Sequence, residues 1–169
     1  DMVMLVLKQR YQYWVCMLAL HKIGAVAIPT THLLSAEDFD YRLRAADVKM
    51  IVCAKDENVL KNVESANAPH LQHKAVTDCL GAAPEGWLDF DGGVEETTDA
   101  WLRPEGPYAT ANEDIMLMYF TSGTMGEPKM VPHDFTYPLA HILTAVHWQG
   151  VDKGEKHLAI SDTGWSMTA

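Results

Sequence analysis

The sequence predicts an α/β domain: a layered, largely parallel sheet with flanking helices. Three observations carry that expectation. Short all-apolar runs of strand length recur, among them MVMLVL (Met2–Leu7), KMIVCA (Lys49–Ala54) and IMLMYF (Ile115–Phe120). They lack the alternation of a half-exposed strand, as strands covered on both faces do. Segments of helical character separate them, and such alternation of strand and helix is the pattern of a layered parallel sheet. With 169 residues, 48% apolar and 21% charged, the chain can bury one real core and is not disordered.

The elements follow in order. After the first strand, Tyr11 to Ile23 reads as a helix whose centre, WVCMLAL, is apolar nearly all round and is expected to be buried. Gly24 suits the left-handed position that stops a helix. AVAIPT is a short strand ended by Pro29. Ser35 with Asp38 three residues later fits a capping box opening a helix through Asp47. The Lys49–Ala54 strand, a polar helix from Glu57 to Ala66 and a strand near Ala75–Asp78 come next. From Leu80 to Asn112 the pattern weakens into a turn-rich, acidic surface excursion with one short helix at Val94–Leu102, whose Glu95-Glu96 suits a solvated helix start. Ile115–Phe120 is the clearest buried strand. KMVPH beyond it reads as a second short strand that Pro132 keeps short or at an edge. A helix follows at Tyr137–Trp148, its apolar stripe made by Leu139, Ile142, Leu143 and Val146. His157–Asp162 reads as the last strand. The chain opens on Asp1 directly against a strand and closes on DTGWSMTA without a terminal helix, so the expectation is a fragment of a larger fold, truncated at both ends.

Composition narrows the function. Net charge is −10, from 13 basic and 23 acidic side chains, which argues against a nucleic-acid-binding domain. It leaves a nucleotide ligand open, because a few local donors hold one triphosphate whatever the total charge. No apolar run reaches the ~18–20 residues of a membrane span. The opening residues lack the marks of a signal peptide. Cys16, Cys53 and Cys79 are odd in number, far apart and never CxxC. They read as buried reduced thiols of a cytoplasmic protein. His70-x-x-His73 has no third ligand nearby and reads as solvated, while His133 follows the Lys129 region closely enough to steady it or to sit at the surface. Trp14, Trp87, Trp101 and Trp148 read as packing residues.

The stretch that carries chemistry is Thr121-Ser122-Gly123-Thr124-Met125-Gly126-Glu127-Pro128-Lys129. Glycines let the backbone turn through positive φ and let a ligand approach. Successive N–H groups in such a turn converge on an anion. Thr121, Ser122 and Thr124 add hydroxyls, Lys129 adds a flexible positive charge suited to phosphate oxygens, and Pro128 stiffens the exit. The spacing is neither that of a Walker A loop nor that of the dinucleotide fingerprint. An ordinary turn between strands is the plainer alternative for a lone SGT.

The whole string resembles the signature loop of the adenylate-forming superfamily, T-S-G-T-[TS]-G-x-P-K. Thr121, Ser122, Gly123, Thr124, Gly126, Pro128 and Lys129 match it, and Met125 departs from it. The opening region, with KIGAV after the first helix and YRL in the second, is similar to the start of that family's N-terminal domain. SDTGW resembles the D-x-G-W segment of acetyl- and medium-chain acyl-CoA synthetases. The resemblance implies an AMP-forming acid–thiol ligase that joins a small-molecule carboxylate to AMP and passes the acyl group to CoA. It implies that Thr121, Ser122, Gly123, Thr124, Gly126 and Lys129 hold the ATP phosphates, with Lys129 the catalytic cation, and that Trp165, Ser166 and Met167 line the acyl and CoA pocket. Simple core packing is the alternative for Trp165. The family's aromatic-G-x-T-E segment, whose Glu serves Mg²⁺, does not occur here, so the Mg²⁺ ligands are expected outside this chain and the piece by itself is expected to be inactive. An adenylating enzyme that loads a carrier-protein thiol, and a non-catalytic nucleotide-binding module, stay open beside the CoA ligase. Acyl chain length and oligomeric state are not legible.

Overall fold

The computed structural model describes residues 1–79, 82–122, 126–158 and 160–165. The elements run β1 (Met2–Val6), α1 (Tyr11–Ile23), β2 (Val26–Pro29), α2 (Ala36–Ala45), β3 (Val48–Ala54), α3 (Glu57–Ser65), β4 (His73–Thr77), β5 (Leu88–Asp89), α4 (Phe90–Glu96), a 3-10 turn at Gly106–Tyr108, β6 (Ile115–Thr121), β7 (Lys129–Asp134) and α5 (Tyr137–His147). The strands form one sheet in the order β5-β4-β3-β1-β2-β6-β7. Every pairing is parallel except the β6–β7 hairpin. The layered parallel architecture expected from the apolar runs is therefore the one observed.

The period of a strand divides the core in two. Met4 and Val6 of β1 pack with Phe39 and Leu43 of α2 and with Val59 and Val63 of α3. Val3, Leu5 and Leu7 pack instead with Tyr13, Cys16, Met17 and Leu20 of α1. Successive side chains of a strand point to opposite faces, so an all-apolar strand is needed where both faces are covered. Consequently α1 lies on one face and α2 with α3 on the other. The chain leaves β1 toward the first face and β2 toward the second, which makes the crevice between the ends of β1 and β2 the switch point of the sheet.

Local devices fix the helices. Ser35 and Asp38 form the reciprocal capping box, the Ser35 hydroxyl accepting from the Asp38 N–H at 3.2 Å and Asp38 accepting from the Ser35 N–H at 3.2 Å. Gly24 ends α1 at φ 72°. Asp56 caps α3, accepting from the N–H groups of Asn58 and Val59, and takes a third bond from the Lys8 ammonium at 2.6 Å.

The structure departs from expectation in five places. The centre of α1 is not buried all round: Trp14, Val15 and Leu18 are exposed. The stripe of α5 forms at the expected period, but Leu139, Ile142, Leu143 and Val146 all remain exposed. The short helix of the excursion starts earlier than Val94, since the Asp89 carboxylate caps it by accepting from the Gly92 N–H; Glu95 and Glu96 then sit at its end, not its start. Trp87 packs, and its indole N–H donates to Glu64, whereas Trp14, Trp101 and Trp148 are exposed. No strand forms at His157–Asp162 among the described residues, where Ser161 and Asp162 enter a turn instead. Pro132 does lie in an edge strand, as its missing N–H requires.

Candidate functional site

All the parallel strands end on one edge of the sheet, and Thr121, Ser122, Lys129 and Trp165, of the residues singled out in the sequence, lie there. Thr121 closes β6 and lies directly across from Lys129, the first residue of β7. Its hydroxyl donates to the Lys129 carbonyl at 3.5 Å. The hairpin thus pinches the two ends of the Ser122–Pro128 loop together. Ser122, Gly126 and Lys129 are exposed, and Lys129 forms no ion pair among the described residues. Gly126 has φ 118°, a conformation that side chains with a Cβ rarely adopt. Gly123 and Thr124, with Met125, lie outside the described residues, as do Ser166 and Met167.

The exit of the loop is anchored from α2. The Tyr41 hydroxyl donates to the Pro128 carbonyl at 3.0 Å. The Tyr41 ring meets Phe120 edge-on at 6.3 Å, and the Arg42 guanidinium lies over the same ring at 5.4 Å. Tyr41 and Arg42 belong to the YRL stretch, so that segment reaches the loop directly. On the other face, His133 stacks between Tyr119 and Tyr137, with ring centroids 5.7 and 4.1 Å away. Desolvation, then the neighbouring His141, hold His133 below the usual histidine pKa. It packs against the aromatic rings behind β6 and β7. The hydroxyls of Tyr13 and Tyr119 are buried without a hydrogen-bond partner among the described residues, and burial pushes both phenols well above their ordinary range.

The last described segment crosses the switch point. The Gln9 side-chain amide donates to the Ser161 carbonyl at 3.2 Å, His32 Nδ1 lies 3.1 Å from Asp162 Oδ2, and the Thr163 hydroxyl donates to the Lys8 carbonyl. Gly164 rests on the backbone that leaves β2: a Cβ there would overlap the Thr31 nitrogen and the Thr30 carbonyl carbon. Asp162 closes the turn, its Oδ1 accepting from the Gly164 N–H at 2.8 Å and its carbonyl from the Trp165 N–H at 3.0 Å. Trp165 is delivered to the mouth of a cavity of about 360 Å³. Thr31, the Tyr119–Ser122 stretch, Gly164 and Trp165 form its walls. Within the described residues Trp165 is 60% exposed, so it is not packed in the core formed here. Larger clefts of about 770 and 610 Å³ lie beside α4 and between the end of α1 and Trp101. Neither touches the loop, and neither brings hydroxyls and an aromatic to the switch point, so the smaller cavity is the better candidate.

Sequence reasoning found the two ends of this site but missed what joins them. Thr31 and His32 carry no local signal, and the YRL stretch does not by itself disclose the anchoring role of the Tyr41 hydroxyl. Among the described residues, no group of three or more His, Cys, Asp or Glu could hold a metal ion.

A parallel sheet covered on both faces, with a hydroxyl-rich loop and a distant tryptophan sharing one cavity at its switch point, defines an α/β protein with a ligand cleft at the carboxyl edge of its strands. The chain belongs to the AMP-binding enzyme family, whose model matches residues 1–169. It is 32% identical over 170 residues to the mitochondrial acyl-coenzyme A synthetase ACSM5 of Mus musculus, covering 100% of this chain and 28% of that protein. Among solved structures, the anthranilate CoA ligase AuaEII in complex with anthranoyl-AMP matches with a TM-score of 0.75 and 27% identity, over 87% of this chain and 27% of that one. The acetoacetyl-CoA synthetase from Streptomyces lividans matches with a TM-score of 0.83 and 20% identity, over 99% of this chain and 27% of that one, a likeness of fold. The chain therefore spans a little over a quarter of the length of these relatives.

Proposed function

We propose that these residues are part of the N-terminal domain of an AMP-forming acyl-CoA synthetase. A carboxylate oxygen attacks the α-phosphorus of ATP, pyrophosphate leaves, and an acyl-adenylate forms. The sulfur of CoA then attacks the acyl carbonyl carbon, AMP leaves, and the thiol proton passes to solvent. The observation that carries this reading is the shared cavity: the phosphate-type loop and Trp165, 44 positions apart from Thr121 to Trp165 (165 − 121), line one space at the switch point.

In this scheme Thr121, Ser122, Gly123, Thr124 and Gly126 present hydroxyl and N–H donors to the β- and γ-phosphates, and Lys129 offsets the charge that grows as pyrophosphate departs. Its freedom from ion pairs among the described residues fits that work. Trp165, with Ser166 and Met167, borders the acyl group and the approach of the thiol. No step is assigned to Mg²⁺, whose ligands this reading puts beyond the chain. The relative in mouse is mitochondrial by name. The three buried free thiols suit any reducing compartment, the cytoplasm included, so they do not select one.

The test is carboxylate-dependent exchange of pyrophosphate into ATP by the full-length protein, with a broad panel of acids. Exchange is expected, and Lys129→Ala is expected to reduce it by about 100-fold or more, the usual cost of removing one electrostatic stabiliser. No exchange with any acid overturns the reading in favour of a non-catalytic nucleotide module. Exchange without acyl transfer to free CoA moves the acceptor to a carrier-protein thiol.

A further inference from the structure

Resting on that reading, we infer that His32 is a positioning residue for the acyl pocket: its bond to Asp162 sets where Trp165 stands and hence which carboxylates the site accepts. His32 lies just past β2, at the switch point, and Asp162 lies 130 positions away in sequence. A carboxylate can only accept, so Nδ1 of His32 is the donor at 3.1 Å. The two carboxylate oxygens divide the work. Oδ2 faces His32, and Oδ1 accepts the Gly164 N–H and so shapes the turn that ends in Trp165. A shift of the Asp162 carboxylate is therefore a shift of the Trp165 wall.

The other supports act on different atoms. Gln9 and Lys8 hold the backbone of Ser161 and the hydroxyl of Thr163 from the end of β1. Gly164 sets the depth at which the turn sits on Thr30 and Thr31. The contact from His32, among the described residues, ties the carboxylate of Asp162 to the end of β2, and so steadies the rotation of the turn about its own axis. Side chains 28% and 15% exposed make this a half-sheltered bond, strong enough to orient and close enough to the surface to tolerate substitution. Thr31, the residue before His32, is itself a wall of the cavity, so the clamp and the pocket share one stretch of backbone.

The experiment uses the full-length protein and compares His32→Ala with His32→Asn, whose side-chain amide can still donate to Asp162. With His32→Ala, KM for the best carboxylate is expected to rise about tenfold, the size of one lost bond to a charged group. KM for ATP should hold, and the order of preference among acids of different size should change. His32→Asn should recover most of the KM and the original order. Equal loss for all acids through kcat alone, or no rescue by Asn, reduces His32 to a structural residue and overturns the inference. A readout without activity separates this from failure of the proposed reaction. The emission of Trp165, taken as the difference between the parent and Trp165→Phe, should shift red and become more quenchable in His32→Ala. An unchanged Trp165 signal overturns the positioning role whether or not the protein makes an acyl-adenylate.

Discussion

Replacing Gly164 by alanine puts a methyl group where the backbone of Thr30 and Thr31 already stands. That backbone cannot yield easily: the Thr30 N–H donates to the Leu5 carbonyl at 2.9 Å, and Thr30 is 4% exposed, at the end of a central strand. The clash must therefore be relieved by the Ser161–Trp165 segment. Forced overpacking costs about 1–3 kcal/mol and sometimes more. Among the described residues, side-chain bonds from Gln9, from His32 and to the Lys8 carbonyl tie the segment to the rest of the protein. At about 0.5–1.5 kcal/mol each, they total about 1.5–4.5 kcal/mol. The two sums are comparable, and both are below the roughly 5–15 kcal/mol that holds a whole domain. Local release of the segment, not global unfolding, is the expected result. Amide hydrogen exchange of the full-length Gly164→Ala protein should show lost protection at Gly164 and Trp165 and parent-like protection in β1 and β3. Gly93→Ala is the control, since its new methyl meets nothing within 4 Å inside α4. It should leave exchange unchanged and stabilise by up to about 1 kcal/mol through helix propensity. Exchange in Gly164→Ala no different from Gly93→Ala would refute the close-packing account of the switch point.

Phe39 is fully buried between α2 and the sheet, so Phe39→Ala should cost about 3–5 kcal/mol, read from the urea midpoint of unfolding. The hydrogen bond from the Lys8 ammonium, then those from the α3 N–H groups, hold the Asp56 carboxyl below the ordinary carboxylate pKa. Its stabilisation is therefore complete above the unfolded value, about 4, and is lost as pH falls through the depressed folded value. Asn keeps the cap and removes the charge, so the stability gap between parent and Asp56→Asn should be constant from about pH 5 to 8 and close below about pH 4. Burial pushes the Cys16 thiol up to about 12 and the Cys53 thiol higher still. Neither should react with a disulfide reagent in the native protein at pH 8, and both should react in denaturant; prompt native labelling of either would contradict its burial.

How much of this was legible depended on whether the cause was local. β1 and β3 were legible because burial on both faces leaves no place for a polar residue, and the composition of the run says so by itself. The cap of α2 was legible because Ser35 and Asp38 satisfy each other within four residues. The α4 boundary was misread because the excursion holds several acidic residues able to cap, and only the path of the chain selects Asp89. The extended reading of His157–Asp162 failed for a related reason. Its apolar residues suit a strand, but its polar groups find partners at the ends of β1 and β2, not along a neighbouring strand.

The same distinction separates the two halves of the site. The phosphate-type loop concentrates its chemistry in nine consecutive residues, so its composition announces it. The opposite wall is assembled by topology. Because the chain leaves β1 toward one helix layer and β2 toward the other, their ends part and expose backbone: the Lys8 carbonyl and the Thr30–Thr31 peptide. A crossing segment can use that opening only if it offers a donor to the carbonyl and no side chain toward the peptide. Thr163 and Gly164 meet those two demands in adjacent positions. Asp162 before them closes the turn, and Trp165 after them is left facing the loop. The order Asp-Thr-Gly-Trp is thus the order in which a chain crossing this gap meets a clamp, a carbonyl, a backbone and a cavity. A segment carrying the same four residues in another order would lose at least one of those fits.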